Sequence, residues 1–252
     1  MDFVFQRKGI IIKTLSILVL FFLWESSAFI LKSPVFPAIT EIISTLFVEL
    51  IEGELIFHLL ITLYRVFISF LFAMLIGTFL GILMGNNKKI NLFLDGWNLM
   101  FLNIPALVLI ILSYVWFGLT EIAAIIAVSL NKIPNVIVTV REGAKTVDEK
   151  LLEVAKIYKI KKLKRFLVFY LPQLYPYLIA SARGGIALIW KIVLVVELLG
   201  RSNGIGFKLH EFFQFFDISS ILAYTFAFIF VMLFIENFVV QPIENKVNKW
   251  RS

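Results

Sequence analysis

The sequence predicts an all-α, polytopic membrane protein with about six transmembrane helices. Hydrophobic residues make up 60% of its 252 residues and charged residues 16%, with a mean hydropathy of +0.94. A soluble domain runs to about 45–50% apolar and about 25% charged. The apolar residues gather into six blocks, each near or above the roughly 20 residues a helix needs to cross a bilayer. The cations gather between the blocks. Such a chain is too apolar to be soluble or disordered. The net charge of +7 would suggest a nucleic-acid partner in a soluble protein. Here it reads as the cationic loops that orient a membrane protein, and no nucleic acid is expected. The 27 Phe supply lipid-facing bulk, and the absence of Cys excludes disulfides and thiol chemistry.

The first block covers residues 10–31, after Arg7 and Lys8. A cleaved signal peptide would have an apolar region of about 7–15 residues ending at a small-residue site. This block is longer and is followed by Pro34 and Pro37 beside bulky residues, so it reads as a retained span. Residues 38–52 differ. Ile39, Ile42, Ile43, Leu46, Phe47, Leu50 and Ile51 recur at helical spacing with Thr40, Glu41, Ser44, Thr45, Glu49 and Glu52 between them. That is an amphipathic helix, too polar to span and suited to the membrane surface.

Residues 55–85 hold the second span, ended by Asn86-Asn87-Lys88-Lys89. Residues 90–116 hold the third, with Pro105 inside, and residues 122–140 the fourth, with Lys132 and Pro134 inside. The longest polar stretch, 141–172, comes next. A fifth span covers 174–199, a loop 200–217 carries Gly204 and Gly206, and the sixth span is 218–240. With both termini inside, sixteen Lys and Arg fall in inside segments against three outside (Lys32, Arg201 and Lys208), which predicts N-in, C-in.

An ionisable residue within a span is a functional candidate, because lipid penalises it. Arg65 is expected to snorkel near the outer interface and Arg183 to anchor near the cytoplasm. Lys132 stands mid-span beside Asn131, and Pro134 frees a backbone carbonyl there. Lys191 and Glu197, six apart, are positioned to pair along or across the bundle. Asn131, Lys132, Trp190, Lys191 and Glu197 are therefore candidate translocation-pathway residues, and the two lysines together would suit an anionic solute. Glu197, Glu236 or lipid headgroups could neutralise the lysines instead. Gly77, Gly81 and Gly85 form a small-residue stripe for close helix contact, within the chain or between copies.

Several functions lack their residues. No Gly-x-x-x-x-Gly-Lys-[Ser/Thr] occurs, so the chain is not expected to hydrolyse ATP or bind a cofactor. His58 and His210 stand apart, and no metal site or catalytic cluster is evident. Composition still leaves open a secondary transporter or channel working without an ATPase, although the lack of an internal repeat argues mildly against the former.

The stretch 147–172 is unlike a plain linker. Leu151, Leu152, Ala155, Tyr158, Leu163, Phe166 and Leu167 suggest two short helices broken near 159–161; a basic amphipathic hairpin on anionic lipid is the plainer reading. Its spacing of Glu153-Val154-Ala155, then Lys159, then Leu171-Pro172 resembles the cytoplasmic signature loop of ATP-binding-cassette importer permeases. That family's pattern is Glu-Ala-Ala, three residues, Gly, and a later Leu-Pro. Val154 and Lys159 depart from it, and Lys159 would strain the turn if the family Gly adopts φ > 0. The segments 33–37, 104–106, 116–118 and 204–206 are similar to the branch handling nitrate, taurine, alkanesulfonates and thiamine precursors. So are His58, Thr62, Arg65, Glu121, Ala182-Arg183, Trp190 and Glu197.

The resemblance implies a single transmembrane permease domain over 1–252, with the surface helix at 38–52 and the cytoplasmic coupling loop at 141–172. It implies a homodimer in a bacterial cytoplasmic (inner) membrane, working with two copies of a cytoplasmic ATP-binding subunit and an external solute-binding protein. It assigns ATPase coupling to Glu153, Ala155, Lys159, Leu171 and Pro172. The solute expected is small and polar or anionic.

Overall fold

The computed structural model describes residues 2–248, and every regular element among them is helical. In chain order these are α1 (Asp2–Leu31), α2 (Ile39–Ile51), α3 (Leu55–Asn86), α4 (Lys88–Asn103), α5 (Ala106–Phe117), α6 (Glu121–Lys145), α7 (Glu149–Ile157), α8 (Lys162–Gly200), α9 (Ile205–Gln214), α10 (Ile218–Ile235) and α11 (Gln241–Asn248). A π-helical turn, Phe166–Tyr170, lies inside α8, and another, Glu236–Val240, joins α10 to α11.

Among the described residues four helical stretches are long and apolar enough to cross a membrane: α3, α6, α8 and Ile218–Glu244. The third block is not one straight span. It breaks into α4 and α5, which meet at 98°. Pro105 lacks an N–H to continue the ladder, and it pushes Ile104 to an extended φ −73°, ψ 125°. Counted as one, the bent pair makes a fifth crossing. In α1 the described apolar stretch is the shorter Leu15–Leu31.

The core is built on α3, α6 and α8. A Cβ placed on Gly77 would stand 2.5 Å from Val136 Cβ, and one on Gly81 2.8 Å from Val140 Cβ. The glycine stripe of α3 thus lets α6 lie directly on its backbone, so its close contact is within the chain. Val66, Ile110, Ala124, Ala127, Val128, Ile189, Val193 and Val196 close the space between α3, α5, α6 and α8.

The entry to this core is pinned by α1. The Glu25 carboxylate accepts from Ile39 N (2.6 Å) and Thr40 Oγ1 (2.9 Å), satisfying the first donors of α2. Trp24 Nε1 donates to Pro37 O at 3.0 Å, and its ring stacks on Phe36. The amphipathic α2 then docks on α10: Ile42 is fully buried, Ser219 donates to Glu41 and Tyr224 donates to Glu49.

Candidate functional site

The segment between α6 and α8 is shorter than its polarity suggests. Helix α6 runs on to Lys145, and α8 already begins at Lys162. Residues 141–145 and 162–172, expected in the loop, are therefore helical extensions of the flanking spans. Leu171 and Pro172 sit on α8 just past the π turn; the wider helical turn accommodates a proline without an N–H to offer.

What remains is α7. Its N-cap is Asp148, whose Oδ1 accepts from Lys150 N at 2.8 Å. The Asp148 N–H in turn donates to Gln173 Oε1 at 2.9 Å, tying the start of α7 to α8. Ala155 is buried at 1% exposure, while Glu153, Val154 and Ile157 face outward. Ile157 and Tyr158 are 76% and 78% exposed, so the free face of α7 offers apolar surface beside its charges.

Lys159 ends α7 in the left-handed region, at φ 53°. Its N–H donates to Lys156 O (2.9 Å), and the Ile160 N–H reaches back to Ala155 O (3.0 Å). That pair of bonds is a Schellman motif, which usually places glycine at this position. A lysine there costs roughly 1 kcal/mol or more in local strain. Lys159→Gly is expected to relieve about that much, raising the thermal midpoint of the purified protein slightly; a fall would contradict the turn geometry.

The end of the core away from α7 holds a second polar centre. Arg65 is 1% exposed, not snorkelling as expected. Its guanidinium meets Glu197 Oε1 at 2.7 Å and Glu121 at 2.6 and 2.9 Å. It also donates to the backbone and side-chain oxygens of Asn203. Glu197, fully buried, accepts further from Thr62 Oγ1 and Gly206 N, both at 2.9 Å. Arg201 reaches Glu121 from the end of α8 at 2.7 Å. His58 Nδ1 accepts from Gly204 N at 2.9 Å, so Nε2 carries the proton facing Glu54, 3.3 Å away. That hydrogen bond, followed by the nearby Lys208 charge, holds the Glu54 carboxyl below its usual range. The network clamps the ends of α3, α6 and α8 to the 201–205 turn.

The expected pathway residues are thereby divided. Glu197 pairs with Arg65 rather than with Lys191: its buried carboxylate accepts from Arg65, Thr62 and Gly206, whereas Lys191 faces outward. Lys191 is exposed on α8, with Nζ 5.6 Å from the Trp190 ring. Trp190 is half-buried against Phe228, and Asn131 is half-buried on α6. Lys132 is 5% exposed. Arg183 is partly exposed and ion-paired to Glu236 and Glu244. Sequence reasoning missed the Arg65–Glu197 pair; its signal was two opposite charges set in separate apolar blocks. Asn203 and Arg201 carried no such signal.

The family described as "Binding-protein-dependent transport system inner membrane component" matches residues 73–241. The chain belongs to this family. It is therefore the permease subunit of an ATP-binding-cassette importer, a multi-pass membrane protein that is not itself an enzyme. Its partners are an ATP-binding subunit and a solute-binding protein. The permease is 30% identical over 223 residues, 88% of this chain and 80% of the other, to the putative aliphatic sulfonates transport permease protein SsuC of Bacillus subtilis (strain 168). It is 23% identical to the taurine transport system permease protein TauC of Escherichia coli (strain K12), over 77% of this chain and 70% of the other. A bicarbonate transport system permease protein, CmpB of Synechococcus elongatus, is 26% identical over 65% of this chain and 59% of the other. The fold is shared with a solved amino acid ABC transporter crystallised with histidines, at TM-score 0.60 and 19% identity, over 76% of this chain and 93% of that one.

Proposed function

We propose that this permease imports a small oxyanion-bearing organic or inorganic solute across a bacterial cytoplasmic membrane, as one of two identical copies driven by two ATP-binding subunits. The observation that carries the reading is α7, a capped helix held between two long apolar helices, with its free face exposed. A short rigid element so held can pass a rigid-body movement of a docked ATPase to α6 and α8. In this reading Glu153 supplies the polar contact to the ATPase, and Ala155 sets the close packing of α7 on α8. Lys159 fixes where the helix stops, while Leu171 and Pro172 shape the π-turned start of α8. Asn131, Lys132, Trp190 and Lys191 belong to the pathway region, and Glu197 to the clamp at its outer end.

The names of the relatives support the solute class: aliphatic sulfonates, taurine and bicarbonate all carry an anionic oxygen group. The cation distribution supports both termini inside, with α7 on the same side. Two measurements test the proposal together. Reporter fusions after residue 48 and after residue 150 are expected to report opposite sides, and the affinity-purified chain is expected to bring down a cytoplasmic ATPase. Fusions reporting one side, or a chain that purifies alone, would overturn it in favour of a transporter that needs no ATPase.

A further inference from the structure

The start of α9 is held by side chains from other helices. Its N-cap, Gly204, has no side chain to cap with, and the first N–H groups of a helix have no carbonyl within it to bond. Three successive N–H groups go to three separate acceptors. Gly204 N donates to His58 Nδ1 (2.9 Å), Ile205 N to Thr62 Oγ1 (2.8 Å) and Gly206 N to Glu197 Oε2 (2.9 Å). The Thr62 hydroxyl does not titrate, and the Glu197 carboxylate is paired with Arg65. The imidazole differs, because one proton added near neutral pH turns its acceptor into a donor.

The surroundings give the ring no other way to accept. His58 is 3% exposed. It lies edge-on to Phe57 and stacks on Phe207, with ring centroids 5.2 and 6.0 Å away. A flip of the ring does not restore the bond, since an imidazolium carries N–H on both nitrogens. Among the described residues the charges facing the ring are Glu54, just before α3, and Lys208 and Glu211 on α9. Lys208 Nζ stands 2.9 Å from Glu211 and 3.5 Å from Glu54, so each carboxylate already has a cation. A proton on His58 adds a second cation to this group and sets it against the positive end of the α9 dipole. The turn is also pressed against α8: a Cβ on Gly204 would stand 2.3 Å from the Glu197 carboxyl carbon.

We propose that His58 is an acid-released latch, whose neutral ring holds the Gly204 turn and the start of α9 against α3, and whose protonation lets that turn go. The location rests on this geometry. That the latch faces the outside, and so senses external acid, rests on the importer reading with both termini inside. Thr62 and Glu197 keep Ile205 and Gly206, so protonation loosens the turn without dissolving the clamp. The sign follows from the bond, which exists only with the neutral ring. A histidine in the unfolded chain titrates near 6.5. The contribution of the latch is therefore whole above about pH 7 and is lost as the pH falls below about 6.5.

The test is made on the permease assembled with its ATPase in nanodiscs, at pH 7.5 and pH 5.0. Amide exchange in peptides covering residues 201–210, corrected for the intrinsic effect of pH, is expected to quicken by about tenfold at the lower pH, and exchange in α6 is not. The thermal midpoint of the parent is expected to fall by at least about 3 °C more than that of His58→Asn. Asparagine offers an acceptor oxygen near the place of Nδ1 and does not titrate. The chain has two histidines, and His210→Gln is expected to keep the full response of the parent. Unchanged exchange at 201–210 on acidification overturns the latch. So does a pH response that persists in His58→Asn or disappears in His210→Gln. If His58→Asn does not assemble, the exchange of the parent and of His210→Gln decides. None of these readings depends on which side the latch faces or on transport, so their failure differs from that of the importer reading, which is judged by the reporter fusions and by co-purification of the ATPase.

Discussion

Replacing Glu197 with alanine is expected to lower the stability of the permease by about 3–5 kcal/mol, the range for breaking a buried ion pair. The carboxylate is fully buried and accepts from Arg65 Nη1 (2.7 Å), Thr62 Oγ1 (2.9 Å) and Gly206 N (2.9 Å). Alanine leaves all three donors without that acceptor. It also leaves Arg65, 1% exposed, with the half-exposed Glu121 as its remaining ion-pair partner beside the neutral oxygens of Asn203. For a domain of this size such a loss lowers the thermal midpoint by roughly 10 °C. Glu197→Gln keeps the shape and an acceptor for Gly206, and is expected to fall between the parent and the alanine variant. The double variant Arg65→Met/Glu197→Met removes both charges together and is expected to recover much of the loss. A Glu197→Ala midpoint within about 2 °C of the parent would show that the clamp holds nothing together.

That pair marks the boundary of what was legible in the sequence. Periodic features were readable because they act locally. The polar/apolar alternation over residues 38–52 gave a helix that the structure places at Ile39–Ile51. The glycines at 77, 81 and 85 announced a close approach, though which helix would approach took the fold to show. Pro105 was visible as a residue, yet a single proline does not say whether a span kinks or turns by 98°. Arg65 was read alone, and an isolated arginine near a span end snorkels by default. Its partners lie 56 and 132 residues away, a separation across which no spacing rule operates. The segment between α6 and α8 is shorter than its polarity implies for a related reason. Polar residues at 141–145 and 161–165 mark where helices leave the hydrocarbon, and they say nothing about where those helices end.

The second large effect concerns α7, where coupling and folding can be separated. Glu153→Arg is expected to leave the protein folded and in the membrane, because the side chain faces outward and touches none of the caps. The bonds that define the helix, at Asp148, Lys159 and Ile160, are untouched. If Glu153 makes the polar contact proposed above, what changes is the charge offered to the ATPase: the proposed complementary contact becomes a like-charge one, and a misplaced charge at an interface weakens association by several kcal/mol. Uptake is expected to fall by at least about tenfold, which is 1.4 kcal/mol of lost coupling, with ATP hydrolysis no longer responding to solute. The thermal midpoint of the isolated permease is expected to stay within about 2 °C of the parent. Normal uptake by Glu153→Arg would remove α7 from the coupling path. A collapse of both uptake and midpoint would instead make Glu153 a folding residue, against its exposure on the free face of the helix.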